Sequence, residues 1–361
     1  MQRLIWHEIS GARRKLVDQR FRETCAWDVT LNERENDSGE LRMVISGANP
    51  QYDALLTMRS EIVVEDDGIE VWRGRIVNQR APGDGTKEVT VKGLLDYLYD
   101  SSVAPQVLSG SAESVLQLLI GAHNASNVET HKRLTLGDVA GIADIEEYKI
   151  SRRTKTWQVL KALIREVGGA VFARRVGDVT YIDWLGDAER RTCSQIVIMG
   201  RNLLSLEAEE DGADICTVLY GYGKSTEDVP LTVAEINDGL EYIQDDDAVT
   251  LYGVIEDSIT ETSIEDPAEL LAFMREELAA RLSGVRSITA EAVDLSDLGE
   301  AAERIEAGHL VPVRAEIYGI DEAIKVESVK RYLYQPARTV IQLGADTVTA
   351  TKLIRRSQDD Y

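Results

Sequence analysis

Two stretches carry the residue types of phosphate and calcium sites. Gly221–Thr226 ends like a phosphate-binding loop, but that loop needs a glycine five positions before its Gly-Lys pair, where Val218 stands. Pro230 also breaks the helix that should follow. Asp245–Asp247 could open a calcium loop, yet its sixth position is Thr250 instead of glycine. These spacings favour a glycine-rich strand end and an exposed acidic turn.

Catalytic side chains are present without catalytic motifs. No His-Glu-x-x-His, Gly-x-Ser-x-Gly or Cys-x-x-Cys occurs. Abundant carboxylates leave a glycosidase pair possible, but no local pattern marks one. We therefore predict no enzyme, no cofactor and no metal site, and we expect the cysteines to be free, buried or half-buried thiols in a reducing cytoplasm. The residues concerned are His7, His123, His131, His309, Cys25, Cys193 and Cys216.

The chain is strongly acidic. Its 361 residues include 63 Asp and Glu against 40 Lys and Arg, a net charge of −23, which repels nucleic acid and anionic lipid at long range. From Thr226 to Leu270 there are fourteen acids and no Lys or Arg. Two interpretations stay open: a solvated face that keeps the chain soluble, or a surface that repels a polyanion. No apolar run approaches the ~18 residues of a membrane span. Charged residues occur too early in Met1–Glu8 for a secretory signal.

The length predicts two or three domains of about 150 residues each. Residues 1–98 read as strands, because Asp66-Asp67-Gly68 separates two runs with partial alternation. A third run, Lys87–Gly93, follows after a Gly-rich turn. The pattern predicts a first β-barrel tube-like domain.

Residues 99–197 read as an α+β module. Ser111 is predicted to cap one helix and Thr156 a second, which Gly168-Gly169 ends. A hairpin with its turn near Gly177-Asp178 follows. The apolar faces of the two helices comprise Val115, Leu116, Leu119 and Ile120, and Trp157, Leu160, Leu163, Ile164 and Val167.

Residues 198–345 return to strands, with an acidic, helical insertion at about 226–285. Asp266 is predicted to cap its helix, with Pro267 as the first helical residue. The three-strand layout of 309–344 resembles that of 61–93. This suggests an internal duplication, although β meanders are common enough to match by chance. Residues 346–361 are expected to be a polar tail.

Several short segments follow one another in a characteristic order along the chain. They are Asn49–Tyr52, the Ile62–Val77 hairpin, Thr156-Trp157 with Tyr181–Asp183, Asn202–Leu206, Val218–Gly223, Leu231-Thr232, Gly239–Tyr242, Tyr252–Ile255, Asp266–Leu270 and Asp294-Leu295. Their order resembles that of bacteriophage and prophage tail hub proteins, which include the N-terminal part of tail-associated prophage endopeptidase-type proteins. The resemblance covers about residues 40–345.

This resemblance implies a multi-domain, β-rich α+β fold, with two similar small β-barrel tube-type domains and helix-hairpin modules. It implies a homotrimer whose six barrels form a pseudo-sixfold ring at the distal end of the tail tube, through which DNA passes. Expected partners are tail tube, distal tail, tail fibre or lysin proteins, and no membrane. The expected location is the virion, and the host cytoplasm during assembly. Since the sequence stops at Tyr361, we expect any peptidase or lysin part to be absent or encoded separately.

The resemblance implies a channel for DNA, and the acidic composition suggests a mechanism for its passage. Acidic channel walls leave DNA mobile, whereas basic walls bind phosphates. The predicted lumen-facing acids are Glu61, Glu65, Glu70, Glu316 and Glu327. Two alternatives stay open: a peripheral baseplate or receptor/carbohydrate-binding tail module, and a hydrolase. The first favours exposed aromatic clusters, whereas the five tryptophans are dispersed, and Trp157 and Trp184 read as core.

Overall fold

A computed structural model describes most of the chain. It covers residues 3–9, 11–126, 129–210, 212–226, 229–283 and 286–344. The chain divides into two compact units, a first of Met1–Ser205 with Ala290–Leu343 and a second of Leu206–Thr289 with Gly344–Tyr361. The predicted polar tail, 346–361, lies outside the described residues. The predicted domain boundaries at about 98, 197 and 345 stay a prediction.

Strands dominate both ends of the first unit, and two helices lie between them. The elements up to residue 185 are β1 Arg3–Ile9, β2 Ala12–Val17, β3 Ala26–Arg34, β4 Glu40–Ser46, β5 Glu61–Asp66, β6 Ile69–Arg80, β7 Thr86–Gly93, β8 Ser102–Val103, β9 Gln106–Gly110, α1 Ala112–Ser126, β10 Leu134–Ala140, β11 Ile145–Ile150, β12 Thr154–Lys155, α2 Thr156–Val167, β13 Ala170–Val176 and β14 Val179–Leu185.

The remaining elements include the strands of the second predicted meander. They are β15 Val197–Ile198, β16 Leu203–Glu210, β17 Val218–Tyr222, β18 Ser225–Thr226, β19 Val229–Pro230, β20 Tyr242–Gln244, α3 Asp246–Tyr252, β21 Glu256–Thr260, α4 Pro267–Ser283, β22 Arg286–Ala292, β23 Leu310–Ala315, β24 Ile320–Tyr332 and β25 Val340–Leu343.

The predicted first meander is present as β5, β6 and β7. The strands pair antiparallel in sequence order, and Asp67 and Gly68 take positive φ angles of 46° and 88° in the tight turn. On β7, Val89 and Val91 alternate into the core, and Ile76 of β6 is also buried. The pattern fixes which face of the meander is apolar.

The second meander, β23, β24 and β25, is also antiparallel. The last part of β24, Ser328–Tyr332, pairs with Thr30–Arg34 of β3. Because β3 continues through β4 to β7, both meanders belong to one thirteen-stranded sheet. The chain thus carries two three-stranded antiparallel meanders within its first unit.

The helical module has both predicted helices, with one correction. Ser111 caps α1, since its Oγ accepts a hydrogen bond from Ser114 N at 3.3 Å. Thr156 does not cap α2: it is the first helical residue, it is buried, and its hydroxyl pairs with Ser101 Oγ at 2.7 Å. The predicted hairpin β13–β14 gains a strand that the sequence pattern had not indicated, because β10 pairs parallel to β14. Trp184 lies fully in the core of this module.

The second unit has its own core. A three-stranded sheet places β17 between β20 and β21, and α4 packs on it through Leu270, Met274 and Leu278. Asp266 caps α4 as predicted, accepting a hydrogen bond from Ala268 N at 3.1 Å. Gly221 allows this packing, because a Cβ there would lie 2.3 Å from the Met274 sulfur.

Candidate functional site

The predicted lumen acid Glu61 lies inside the protein, which corrects the expectation that it faces a channel. Its exposed fraction is 5%. One carboxylate oxygen accepts a hydrogen bond from Tyr97 Oη at 2.7 Å and the other from Arg73 Nη1 at 2.8 Å. Every residue from Glu61 to Val64 is buried, so this part of β5 does not alternate between core and surface. Glu61 therefore does not contribute an exposed negative charge.

Glu65 and Glu70 lie opposite each other in the β5–β6 register. Glu65 is half-buried and accepts a hydrogen bond from Arg13 Nη2 at 2.6 Å. Glu70 is exposed, and its two oxygens accept from Arg73 Nε and Nη2, both at 2.9 Å. Both carboxylates reach the surface of the chain, and each is held by an arginine.

Arg73 organises the charges of this hairpin. It is buried, and it also contacts Glu8 at 3.3 Å. Burial alone would lower its pKa, but Glu70, Glu61 and Glu8 together raise the pKa above its ordinary value. The guanidinium is therefore permanently charged and fixes the orientation of three carboxylates.

The two predicted acids of the second meander lie on different elements. Glu316 is exposed in a short 3₁₀ turn between β23 and β24, beside Ile317, whose side chain is 83% exposed. Glu327 is half-buried on β24, and its carbonyl accepts from Glu35 N at 3.2 Å. Of the five predicted acids, Glu70 and Glu316 are therefore the exposed ones.

A buried ionic network lies where the second meander joins β3. Arg331 of β24 has no exposed surface, and its Nη1 donates to Asp294 at 2.9 Å and to Asp297 at 2.5 Å. It also donates to the carbonyl of Ile305 and contacts Glu33 at 3.4 Å. Burial disfavours the charge, but the surrounding acids raise the pKa of Arg331.

The same network holds the N-terminal strand. Arg3 of β1 donates from Nε to Asp66 at 2.5 Å and from Nη2 to Asp297 at 3.1 Å. Asp66 is the last residue of β5, so this network connects the first meander with the residues that hold Arg331. Burial would raise the pKa of Asp294, but Arg331 and several hydrogen bonds keep it below its ordinary value.

Sequence reasoning missed this network, although one signal was available. Arg331 stands in the inward-facing phase of β24, between the buried residues Val329 and Leu333. An arginine at an apolar phase of a strand indicates a buried ion pair. Its partners are 34 and 37 positions away, and no local pattern joins them.

The acid-rich stretch belongs to the second unit. Asp245 is half-buried and caps α3, accepting from Ala248 N at 2.8 Å. Within 229–270, the exposed acids are Glu235, Asp238, Glu241, Asp246, Asp247, Glu256, Asp257, Glu265, Asp266 and Glu269. This exposure fits both open interpretations, solubility and repulsion of a polyanion.

One serine–histidine contact invites a catalytic interpretation. Ser101 Oγ donates to His123 Nδ1 at 3.0 Å, and His123 Nε2 donates to the carbonyl of Lys132 at 2.8 Å. The exposed fractions of Ser101 and His123 are 2% and 0%, so a substrate cannot reach the hydroxyl. Burial lowers the pKa of His123, which suits a neutral, structural histidine.

The phosphate-loop-like stretch and the cysteines form contacts within the fold. Lys224 pairs with Glu265, and Ser225-Thr226 forms a two-residue strand against β19. Across the described ranges, no group of three or more His, Cys, Asp and Glu side chains is placed to hold a metal ion. Cys193 and Cys216 are buried free thiols and Cys25 is half-buried. Burial raises the pKa of Cys193 to about 11.

Comparison with known proteins gives these observations a family context. Residues 191–354 match the model of the prophage endopeptidase tail family. A search of curated proteins finds no match. The chain resembles prophage tail proteins. This confirms the resemblance that the sequence motifs indicated. In the part of the chain that the structure describes, no helix has the length and apolar character needed to cross a membrane.

Three solved structures share the fold over nearly the whole chain. A 43 kDa tail protein of prophage MuSo2 from Shewanella oneidensis has a TM-score of 0.58 and 12% identity, covering 95% of this chain and 97% of the other. Prophage tail protein gp18 from Listeria monocytogenes has a TM-score of 0.56 and 11% identity, and the match covers 99% of each chain. A tail protein from Neisseria meningitidis has a TM-score of 0.55 and 15% identity, and the match covers 97% of this chain and 98% of the other. At these identities, the similarity shows a shared β-rich fold with a few helices.

Proposed function

We propose that this protein is a structural hub subunit of a phage tail. Three copies form a ring of pseudo-sixfold symmetry at the distal end of the tail tube, and DNA passes through the ring. The protein is located in the virion and in the host cytoplasm during assembly. Its partners are the neighbouring tail proteins.

One observation carries this proposal: a single chain holds two three-stranded antiparallel meanders, β5–β7 and β23–β25, in one continuous sheet. A threefold ring of such chains offers six β units to a sixfold tube. The buried Arg331 and Arg3 network connects the residues around both meanders. This suits a ring in which the two meanders of each chain keep a fixed spacing, because packed, fully bonded charges allow few alternative arrangements.

The mass of the protein in solution tests the ring. A trimer of the 40.0 kDa chain has a mass near 120 kDa, from 3 × 40.0. Multi-angle light scattering on the purified protein, alone and mixed with its tail tube protein, should show this mass in at least one of the two samples. A protein that stays at one copy in both samples, or that forms dimers, contradicts the trimer.

We further propose that acids line the channel, with Glu70 and Glu316 as the exposed members, Glu65 and Glu327 at the margin, and Glu61 excluded by burial. A lining of net negative charge keeps DNA from binding the wall, within the ~8 Å range of the Debye length. Exchanging Glu70 and Glu316 for glutamine should slow genome ejection without reducing particle yield. Unchanged ejection kinetics would contradict the lining.

The role is structural and not enzymatic in this proposal, despite the family's name. The buried state of Ser101 and His123 supports it. Incubation of the purified protein with peptidoglycan and with peptide substrates should release no product. Turnover that disappears on substitution of one acid pair would favour a hydrolase instead.

A further inference from the structure

The first unit presents a basic strand at an open edge of its sheet. β2 is the terminal strand of the sheet order, and among the described residues only β1 pairs with it. Of residues 11–24, five are basic and two acidic, in a chain of net charge −23. The five are Arg13, Arg14, Lys15, Arg20 and Arg22, and we refer to them as the basic edge. Basic residues protect an open edge from indiscriminate pairing, but they also make it attractive to an acidic partner.

Aromatic rings support the basic edge. The Arg13 guanidinium lies 4.7 Å from the ring centroid of Trp6, and that of Arg20 lies 5.7 Å from the ring of Phe21. Phe21 is 53% exposed although it is large and apolar. Stacking holds these guanidinium groups in place before a partner arrives. Arginine beside an exposed aromatic ring is the combination enriched at the centres of protein interfaces.

Local acids neutralise this edge only in part. Arg13 pairs with Glu65 at 2.6 Å, while Lys15 and Arg20 share one carboxylate, that of Asp18. Arg14 and Arg22 are exposed. The edge thus keeps a net positive charge beside a half-exposed aromatic ring.

The second unit carries a surface of complementary character. Residues 245–257 include no Lys or Arg, and large apolar side chains are exposed among their acids, Leu251 by 71% and Val254 by 67%. We refer to this segment as the acidic surface. Its exposed acids are Asp246, Asp247, Glu256 and Asp257, of which Asp257 pairs with Arg281 of α4.

We propose that the basic edge of one copy docks against the acidic surface of a second copy of this chain. The inference rests on the proposed hub function and specifies which surfaces join its subunits. Charge complementarity selects this occupant, because the chain itself supplies both an acid-only segment and the basic edge. Since the two surfaces differ, the contact is head-to-tail, and such a contact builds a threefold ring when it rotates each copy by one third of a turn.

Charge reversal tests the contact. The change Arg13→Glu/Arg14→Glu/Lys15→Glu should weaken self-association at least about tenfold in sedimentation velocity at low ionic strength, because like charges would then face each other. A matched control, Lys149→Glu/Arg152→Glu/Lys155→Glu, makes the same change of charge at exposed residues of another part of the first unit and should have little effect. The smaller variant Arg14→Glu/Arg22→Glu spares the Glu65 and Asp18 pairs and should act in the same direction if the triple variant folds poorly.

A compensating variant identifies the partner surface. Asp246→Lys/Asp247→Lys/Glu256→Lys should also weaken association, and a chain that carries this set together with the basic-edge reversal should regain it. Two results overturn the inference: basic-edge variants that associate like the control, or a combined chain that stays dissociated. If the wild type is trimeric in either case, the hub ring stands and only this contact is wrong. A wild type that remains at 40 kDa at every concentration overturns self-docking, and imaging of tail particles then judges the ring separately.

Discussion

Replacing Arg331 by methionine should destabilise the first unit strongly. The substitution keeps most of the side-chain length but leaves Asp294 and Asp297, both buried, without their shared guanidinium. Breaking a buried ion pair by removing one partner costs about 3–5 kcal/mol. Arg314→Met is the matched control, because Arg314 pairs with Asp321 at 3.0 Å while its side chain is 54% exposed. Loss of such a surface pair costs about 0–1 kcal/mol.

Urea unfolding by circular dichroism measures both variants, and hydrogen exchange of the β3 and β24 amides assigns the loss to the first unit. The pH dependence provides a second check. In the wild type, the lowered pKa of Asp294 gives stability that is present above its unfolded pKa and lost as the pH falls. In Arg331→Met, the Asp294 carboxyl loses its guanidinium partner and should have a raised pKa. The stability that this variant loses relative to the wild type should therefore shrink on acidification towards about pH 4. Equal stability losses in the two variants, or a deficit that grows at acid pH, would refute this reasoning.

Three further predictions concern other parts of the chain. Gly221→Ala should destabilise the second unit by about 1–3 kcal/mol, because its methyl group would overlap Met274 of α4. Gly121→Ala, which has open space in α1, should stabilise the protein by about 0.5–1 kcal/mol. The midpoints of urea unfolding measure both changes. Maleimide at pH 7 should label Cys25 and spare Cys193, whose pKa is raised to about 11; mass spectrometry of labelled peptides checks the order. Because burial lowers the pKa of His123, its contribution to stability should be present above about pH 6.5 and lost as the pH falls below it; His123→Gln should remove that part of the pH dependence of unfolding.

The local elements were predictable because their signals are short in sequence. The Asp66–Gly68 turn, the Ser111 cap and the Gly168 helix end each depend on neighbouring residues. Thr156 shows the limit of such signals. Its hydroxyl could cap a helix, but a buried partner 55 residues away, Ser101, takes it instead.

Long-range pairing was beyond the sequence pattern. β24 joins β3 across nearly three hundred residues, and the parallel neighbour of β14 is β10 instead of another hairpin strand. Alternation fixes the faces of a strand but does not identify its neighbour. The same limit explains Glu61, which was predicted to face the channel and which instead accepts hydrogen bonds from the Tyr97 hydroxyl and the Arg73 guanidinium inside the protein.

Electron cryomicroscopy of tail particles containing this protein tests the central claim most directly. The proposal predicts three copies around the tail axis, with β5–β7 and β23–β25 alternating as six β units around the lumen. A map with the chain at the periphery of the tail tip, or with a copy number other than three, would contradict it.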